Sequence, residues 1–379
     1  MSTTRRDLFS AAAAAGLAGA MASTPARADL ATPAASASAW QGQGATTPLA
    51  ADTVLTRIGF GSCLRQDRPA PILDALAKDA PQLFLMIGDN IYGDVRGQGG
   101  EDPELNSLLA AYAGLAIRAD WQRFRAANRF HATWDDHDFG ENDAGATFPW
   151  EPRTRDVFHA FWGSSVLANQ KGHAGVYGST VYGPEGRRVQ VILLDTRTFR
   201  SDLTRAEPAE GETFRPYVPD TDPAKTMLGA EQWAWLEGEL REPAELRLVI
   251  SSIQAVALTH PFEKWANLPR ERERLFGLIA ATGANGVVML SGDRHRGLLS
   301  IETEGVPYPI HDLTSSALNQ PSRTRGVETD RTSQGDYFTE ANAGDIRIDW
   351  QTGTVTLALV DQTGARHRET VVPLASLRA

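Results

Sequence analysis

The stretch Leu83-Phe84-Leu85-Met86-Ile87-Gly88-Asp89-Asn90-Ile91-Tyr92-Gly93-Asp94 carries five apolar residues straight into glycine and a polar cluster. A short continuous apolar run bounded by glycine reads as a strand buried on both faces. Polar residues beyond its carboxyl end stand where α/β folds bind ligands. The same pattern recurs along the chain. Ile58-Gly59-Phe60 runs into Gly61-Ser62-Cys63, and Thr133-Trp134 into Asp135-Asp136-His137-Asp138-Phe139-Gly140-Glu141-Asn142-Asp143. Ile192-Leu193-Leu194 ends at Asp195-Thr196-Arg197, Val249-Ile250 at Ser251-Ser252-Ile253-Gln254, and Met289-Leu290 at Ser291-Gly292-Asp293-Arg294-His295.

Around these runs, strands are expected at Val54–Phe60, Leu83–Ile87, Phe130–Trp134, Val189–Leu194, Leu246–Ile253 and Val287–Leu290. Helices are expected near Pro71–Lys78, Glu104–Ala116, Thr154–Trp162, Ala230–Leu240 and Arg270–Thr282. The alternation predicts an α/β layered domain. Further strands are expected at Leu298–Thr303, Ile346–Trp350 and Val355–Val360, with a hairpin at Gln351-Thr352-Gly353. The sequence shows no internal repeat and no second linker, so one domain is expected over residues 53–379.

Composition narrows the function. The 379 residues are 42% hydrophobic and 22% charged, with 34 Gly, 21 Pro and one Cys, which excludes disordered, collagenous and disulfide-scaffold classes. The net charge of −10 argues against a nucleic-acid partner, because phosphate-backbone binding needs a basic face. Phosphate-loop, His-Glu-x-x-His and Gly-x-Ser-x-Gly motifs are absent, and Gly140 spoils the EF-hand reading of the Asp136 stretch.

Six strand ends that deliver carboxylates, Cys, Tyr, His, Asn and Gln to one rim would repel themselves unless cations lay between them. Each piece alone has a plainer reading. An Asp after a strand is commonly a turn or cap, a lone Cys a small buried hydrophobe, and Asp195 with Arg197 a structural ion pair. His131, His159, His173 and His367 have no acidic cluster nearby and read as structural; His260 and His311 are left without a role. Repetition decides for a metal cluster, and three carboxylates within Asp135–Asp138 are the hardest part to explain otherwise.

The N-terminus reads as an address. Thr4-Arg5-Arg6-Asp7-Leu8-Phe9-Ser10 is a twin-arginine core, followed by a weakly apolar Ala11–Ala22 run and the cleavage-type Ala26-Arg27-Ala28. Residues 1–28 are expected to be a signal peptide, residues 29–52 a flexible tether, and the compartment periplasmic or extracellular through the twin-arginine translocase. No stretch is apolar for long enough to make a stable membrane span.

Together, Gly61-Ser62-Cys63, Gly88-Asp89-Asn90-Ile91-Tyr92, Trp134-Asp135-Asp136-His137-Asp138, Leu194-Asp195-Thr196-Arg197 and Gly292-Asp293-Arg294-His295 resemble the alkaline phosphatase D (PhoD-like) family. Met227-Leu228-Gly229-Ala230-Glu231-Gln232, Ser252-Ile253-Gln254 and Thr314-Ser315-Ser316 extend the resemblance across Arg57 to Trp350. It implies a calcineurin-like metallophosphoesterase: a four-layer αββα sandwich that hydrolyses phosphomonoesters or phosphodiesters at iron and calcium, with other divalent metals as alternatives. Cys63, Asp89, Tyr92 and His295 would hold the first metal. Asp89 would bridge to a second, completed by Asp136 and Asp293 with Gln254 or Asn142. His137 falls at the position of the superfamily's catalytic histidine. Gly61-Ser62-Cys63 follows the tether directly, so the N-terminal immunoglobulin-like domain of longer members is not expected.

The residue types suit that chemistry, since thiolate and tyrosinate favour trivalent iron, and carboxylate and amide oxygens favour calcium. His137 would protonate the leaving oxygen, and Arg197 or Arg65 would bind phosphate oxygens. Substrates are expected to be small phosphoesters or phospholipid- or teichoic-type esters. Rival readings are a phospholipase-D-like phosphodiesterase and a secreted binding module that keeps its metals for structure. Glu263-Lys264-Trp265 and the stretch from Asp202 to Thr226 are expected at the mouth of the site.

Overall fold

The computed structural model describes residues 39–94, 101–208, 211, 213–322 and 329–378. Among them the chain runs β1 (Arg57–Gly61), α1 (Pro71–Asp79), β2 (Leu83–Ile87), α2 (Asn106–Ala116), α3 (Ala119–Ala127), β3 (Phe130–Thr133), the single turn α4 (Asp136–Phe139) and α5 (Glu151–Trp162). It continues through β4 (Gly178–Tyr182), β5 (Val189–Leu193), α6 (Gly229–Arg241), β6 (Leu246–Ser251), α7 (Pro269–Thr282), β7 (Val287–Ser291), β8 (Gly297–Glu302) and β9 (Ile310–Ser315). A closing meander follows, of β10 (Asn342–Asp349), β11 (Thr354–Asp361) and β12 (Arg366–Pro373).

Two six-stranded sheets result, ordered β12-β11-β10-β1-β2-β3 and β4-β5-β6-β7-β9-β8. Within them β1-β2-β3 and β5-β6-β7-β9 are parallel, with Gly59 level with Phe84, Met86 with Ala132, and Ile250 with Leu290. Successive side chains of a strand point to opposite faces, and β2 uses both. Leu83, Leu85 and Ile87 join the core that Val191, Leu248 and Met289 of the second sheet line. Phe84 and Met86 instead pack with Leu73, Leu108, Phe124 and Phe158 from α1, α2, α3 and α5. Trp233 and Leu236 of α6, with Leu275 and Ile279 of α7, cover the second sheet. The layers are therefore helix, sheet, sheet, helix, the αββα sandwich, and one domain holds them all.

The helix limits follow local chemistry. Pro at the start of α1, α5 and α7 fills a position whose N–H has no helical acceptor. Gly283, at φ 65°, closes α7 with its N–H on the Ala280 carbonyl.

The six strand ends carrying polar residues come three from each sheet. One expectation changes here. The expected tether is docked over its described part: Trp40 is buried and stacks on Tyr112, while Gly42 and Gly44 donate to the carbonyls of Ala160 and Phe161 in α5. A buried indole and backbone hydrogen bonds outweigh the surrounding Ala-Ser-Gly composition. The proposed signal peptide and residues 29–38 lie outside the described residues. No helix among the described residues is long and apolar enough to cross a membrane.

Candidate metal centre

Four strand ends converge because two glycines let their loops touch. At Gly88, φ 110°, a Cβ would lie 2.5 Å from the Asp135 Cβ; at Gly292 it would lie 2.5 Å from the Ser62 hydroxyl. Removing these two methyl groups' worth of volume sets Asp89 beside the Asp135-Asp136 turn, and Asp293 and His295 beside Cys63. Strain concentrates in the same place. Eight described non-glycine residues have positive φ, and five of them are Cys63, Asp89, Asp143, Asp293 and His295. Left-handed backbone at such positions costs energy that the surrounding structure must overcome, which marks them as held for a purpose other than folding.

Asp89 is the hub. Its Oδ2 lies 3.3 Å from Cys63 Sγ and 3.1 Å from the Tyr92 hydroxyl, which stands 3.0 Å from His295 Nε2. Ligand atoms of Cys63, Asp89 and His295 lie within 4.8 Å of one another; so do those of Asp89, Asp136 and His137, and those of Asp89, Asp135, Asp136 and Asp293. Gln254 is buried at the end of β6 with its amide donating to Thr314 Oγ1 at 2.8 Å, and Asn142 lines the cavity above Asp136. A further carboxylate group, Asp136, Asp143 and Glu263, adjoins the cluster and was not foreseen as one.

The electrostatics fit a cation. Burial pushes the Cys63 thiol up to about 11. It likewise raises Asp89, Tyr92 and Asp293, with neighbouring acidic groups adding to each. Such groups are driven toward their neutral forms because like charges share a dry space, and positive charge among them reverses that balance. His295 is held down at about 4 by burial first, so its imidazole is neutral and ready to ligate. The groups differ in donor type: Cys63 and His295 share one with Asp89, whereas the one that joins Asp89 to Asp135, Asp136 and Asp293 offers carboxylate oxygens alone.

His137 packs on Tyr92 with ring centroids 4.1 Å apart and planes tilted by 32°, and its Nδ1 lies 2.6 Å from Asp94 Oδ1. Burial disfavours the imidazolium, but Asp136, Asp89 and Asp94 outweigh it and raise this histidine well above its usual range. Asp94 was missed as a site residue, although it closes the stretch that begins at Leu83. Asp138 is the latch of the turn. Its carboxylate accepts from the backbone N–H groups of Asp89, Asn90 and Asp135 at 3.1, 3.2 and 2.7 Å, which fastens the Asp89 loop to α4.

Of the two arginines expected on phosphate oxygens, Arg197 is enclosed and Arg65 is paired with a surface carboxylate. Arg197 is fully buried, with Nε 2.6 Å from Asp135 Oδ1 and Nη1 2.6 Å from Glu263 Oε2, while Arg200 Nη2 takes the other Glu263 oxygen at 2.8 Å. It positions Asp135, which caps the turn bearing Asp136 and His137, and has no open path to substrate. A guanidinium buried at a strand end cannot be told from an exposed one in sequence. Arg65 makes a bidentate pair with Asp67 at 2.9 and 2.7 Å, with its guanidinium 5.3 Å from the Tyr92 ring centroid.

The cluster floors a cavity of about 440 Å³, lined by Asp136, His137, Asp293 and His295 below and by Arg205, Phe214, Tyr217 and Phe262 above. The expectation for the mouth holds for the stretch from Asp202 and for Glu263; Lys264 and Trp265 are buried beneath it.

Comparison with known proteins gives the family and the fold. The PhoD-like phosphatase family matches residues 62–359. The chain is 25% identical over 251 residues to alkaline phosphatase D of Bacillus subtilis (strain 168), covering 58% of this chain and 42% of that protein, so it spans about two fifths of that relative's length. A solved structure of PhoD superposes with a TM-score of 0.65 at 18% identity, over 86% of this chain and 73% of the other. GAP50, the anchor in the inner membrane complex of Plasmodium, superposes at 0.50 with 11% identity, over 85% and 89%. These likenesses support the fold, and the family match spans the cluster residues from Cys63 to His295. The chain belongs to the PhoD-like phosphatase family.

Proposed function

We propose that this protein is an exported, metal-dependent phosphoester hydrolase acting on phosphomonoesters, phosphodiesters or both. The observation that carries the reading is Asp89, one carboxylate shared by three groups of ligand atoms each gathered within 4.8 Å, with a histidine in contact. Cys63, Asp89, Tyr92 and His295 would hold iron; Asp89, Asp136 and Asp293, with Gln254 or Asn142, would hold calcium. Bound cations supply Lewis-acid polarisation and an acidified water.

The chain's own residues supply the rest. Asp94 engages Nδ1 of His137, which leaves Nε2 as the atom that delivers a proton to the departing oxygen. Arg197 and Ser252 both donate to Asp135 Oδ1 at 2.6 Å, holding the turn on which Asp136 and His137 sit. Arg65, over the Tyr92 ring, is the remaining candidate for a phosphate oxygen once it leaves Asp67. A proton donor next to a full ligand set favours catalysis over a purely structural metal site. The export signal fits a chain whose thiol is sheltered by burial.

The test is turnover of p-nitrophenyl phosphate and bis-p-nitrophenyl phosphate by metal-replete protein, with and without chelator. Chelator-sensitive release supports the reading, and the ratio of kcat/KM values chooses between ester classes. Silence from protein shown to contain metal favours the binding module.

A further inference from the structure

Four large hydrophobic side chains are exposed among the described residues: Ile117, Phe214, Phe262 and Val371. Two of the four, Phe214 and Phe262, line the cavity above the carboxylate cluster, with ring centroids 5.4 Å apart and planes tilted by 48°. We propose that this pair is an apolar shelf that selects phosphoesters whose organic group bears an uncharged aromatic ring. The proposal rests on the phosphoester-hydrolase reading of the floor below.

The shelf is built rather than left over. From His260 to Leu268, Phe262 is the one exposed residue; Glu263, Lys264, Trp265 and Asn267 are all at most 2% exposed. Lys264 Nζ donates to the carbonyls of His260 and Phe262 at 2.6 and 3.3 Å, which ties the turn down from beneath. Glu263, next to Phe262, is locked onto Arg197 and Arg200. The facing segment is laced to the same turn, since the Tyr217 N–H donates to the Pro261 carbonyl at 2.9 Å and the Asp220 N–H to the Asn267 carbonyl at 2.8 Å. An aromatic ring kept in water on a rigid, otherwise buried loop forgoes the stabilisation that burial would give, and a ligand recovers it.

The chemistry of the bound group follows from the charges around the rings. The Arg294 guanidinium sits 4.5 Å from the Phe262 ring centroid, and that of Arg205 sits 3.9 Å from the Tyr217 centroid. Arg294 thus already holds the cation position over Phe262, while Arg205 is paired with Asp143. A neutral ring stacks on the phenylalanines and on guanidinium planes alike. A volume of about 440 Å³ suits a small ester with its phosphoryl group on the floor and its ring on the shelf.

The experiment compares kcat/KM of metal-replete protein for 2-phenylethyl phosphate, glycerol 3-phosphate and phosphocholine, or for their methyl diesters if the p-nitrophenyl comparison shows diester preference. All three leave as primary alkoxides. The phenylethyl ester is expected to exceed both others by about tenfold, the gain an aromatic contact gives. Phe262→Ala and Phe214→Ala should each bring the phenylethyl-to-glycerol ratio to about threefold or less, with Phe262→Leu falling between them and the parent. Metal content and melting temperature verify that each variant is folded. A parent ratio near one, a preference for phosphocholine, or a ratio that survives both alanine variants overturns the shelf and leaves hydrolysis standing. No turnover of any ester by protein that contains its metals overturns the hydrolase reading, and the shelf with it.

Discussion

At Asp89 the backbone is left-handed, with φ 50°, and the carboxylate touches Cys63 and Tyr92 at once. Asp89→Ala is expected to abolish metal content and turnover together, measured by elemental analysis and p-nitrophenolate release; a variant that keeps both would remove Asp89 from the hub. His137→Ala should differ in kind. It should retain metal while kcat falls by about 10²–10⁴, most for poor leaving groups, because proton delivery matters most there. Arg197 gives a third residue-scale outcome. Its removal leaves Asp135 buried without its cation and Glu263 with Arg200 alone, so Arg197→Ala should lower unfolding stability by about 3–5 kcal/mol. If the variant instead keeps its urea midpoint and only raises KM, the phosphate-clamp reading returns.

Elements are joined by buried carboxylates, and one of these sets an acid limit. Glu302 at the end of β8 is fully buried and accepts from Arg272 of α7 at 2.7 Å and from both terminal nitrogens of Arg331 at 2.8 and 2.9 Å. Burial raises its pKa, but the two arginines outweigh that and hold the carboxyl at about 2, against the ordinary 4.5. A carboxyl depressed in the folded state binds its proton more readily when unfolded. Its stabilisation is therefore complete above pH 4.5 and fades as pH falls toward 2. Glu302→Gln should flatten that part of the stability–pH curve by about 2–3 kcal/mol in urea titrations. An unchanged acid limb would mean that other carboxylates control it. Several elements escaped sequence reading for related reasons. β9 carries His311, Asp312 and Thr314 in a buried strand, where Asp312 is satisfied by Ser291 and by the backbone of Ala255 and Val256. β12, at a sheet edge, is largely exposed and lacks an apolar alternation.

For the whole molecule, cations that bind the cluster bind the folded state alone, because its ligands are separated by up to 232 positions in the unfolded chain, from Cys63 to His295. Chelator is expected to lower the melting temperature of metal-replete protein, and excess metal to restore it. Identical melting curves with and without chelator would detach the cluster from any metal. The same architecture explains how both sheets serve one site: β1, β2 and β3 from one, and β5, β6 and β7 from the other, present their carboxyl ends to a common edge.

The sequence by itself determined the strands that build the parallel halves of both sheets and the residues at their ends. A doubly buried strand must be continuously apolar, and a turn that carries ligands must break that run with glycine and polar groups. Leu83–Ile87 followed by Gly88-Asp89 states both. Tertiary structure decided what those residues face. Arg197 became a buried brace instead of a clamp because Asp135 and Glu263, 62 and 66 positions away, close around it. Trp40 turned a low-complexity segment into a docked one by finding Tyr112. Asp94 joined His137, and Phe214 met Phe262, through contacts that no local pattern encodes, since proximity across a folded edge depends on how the layers stack.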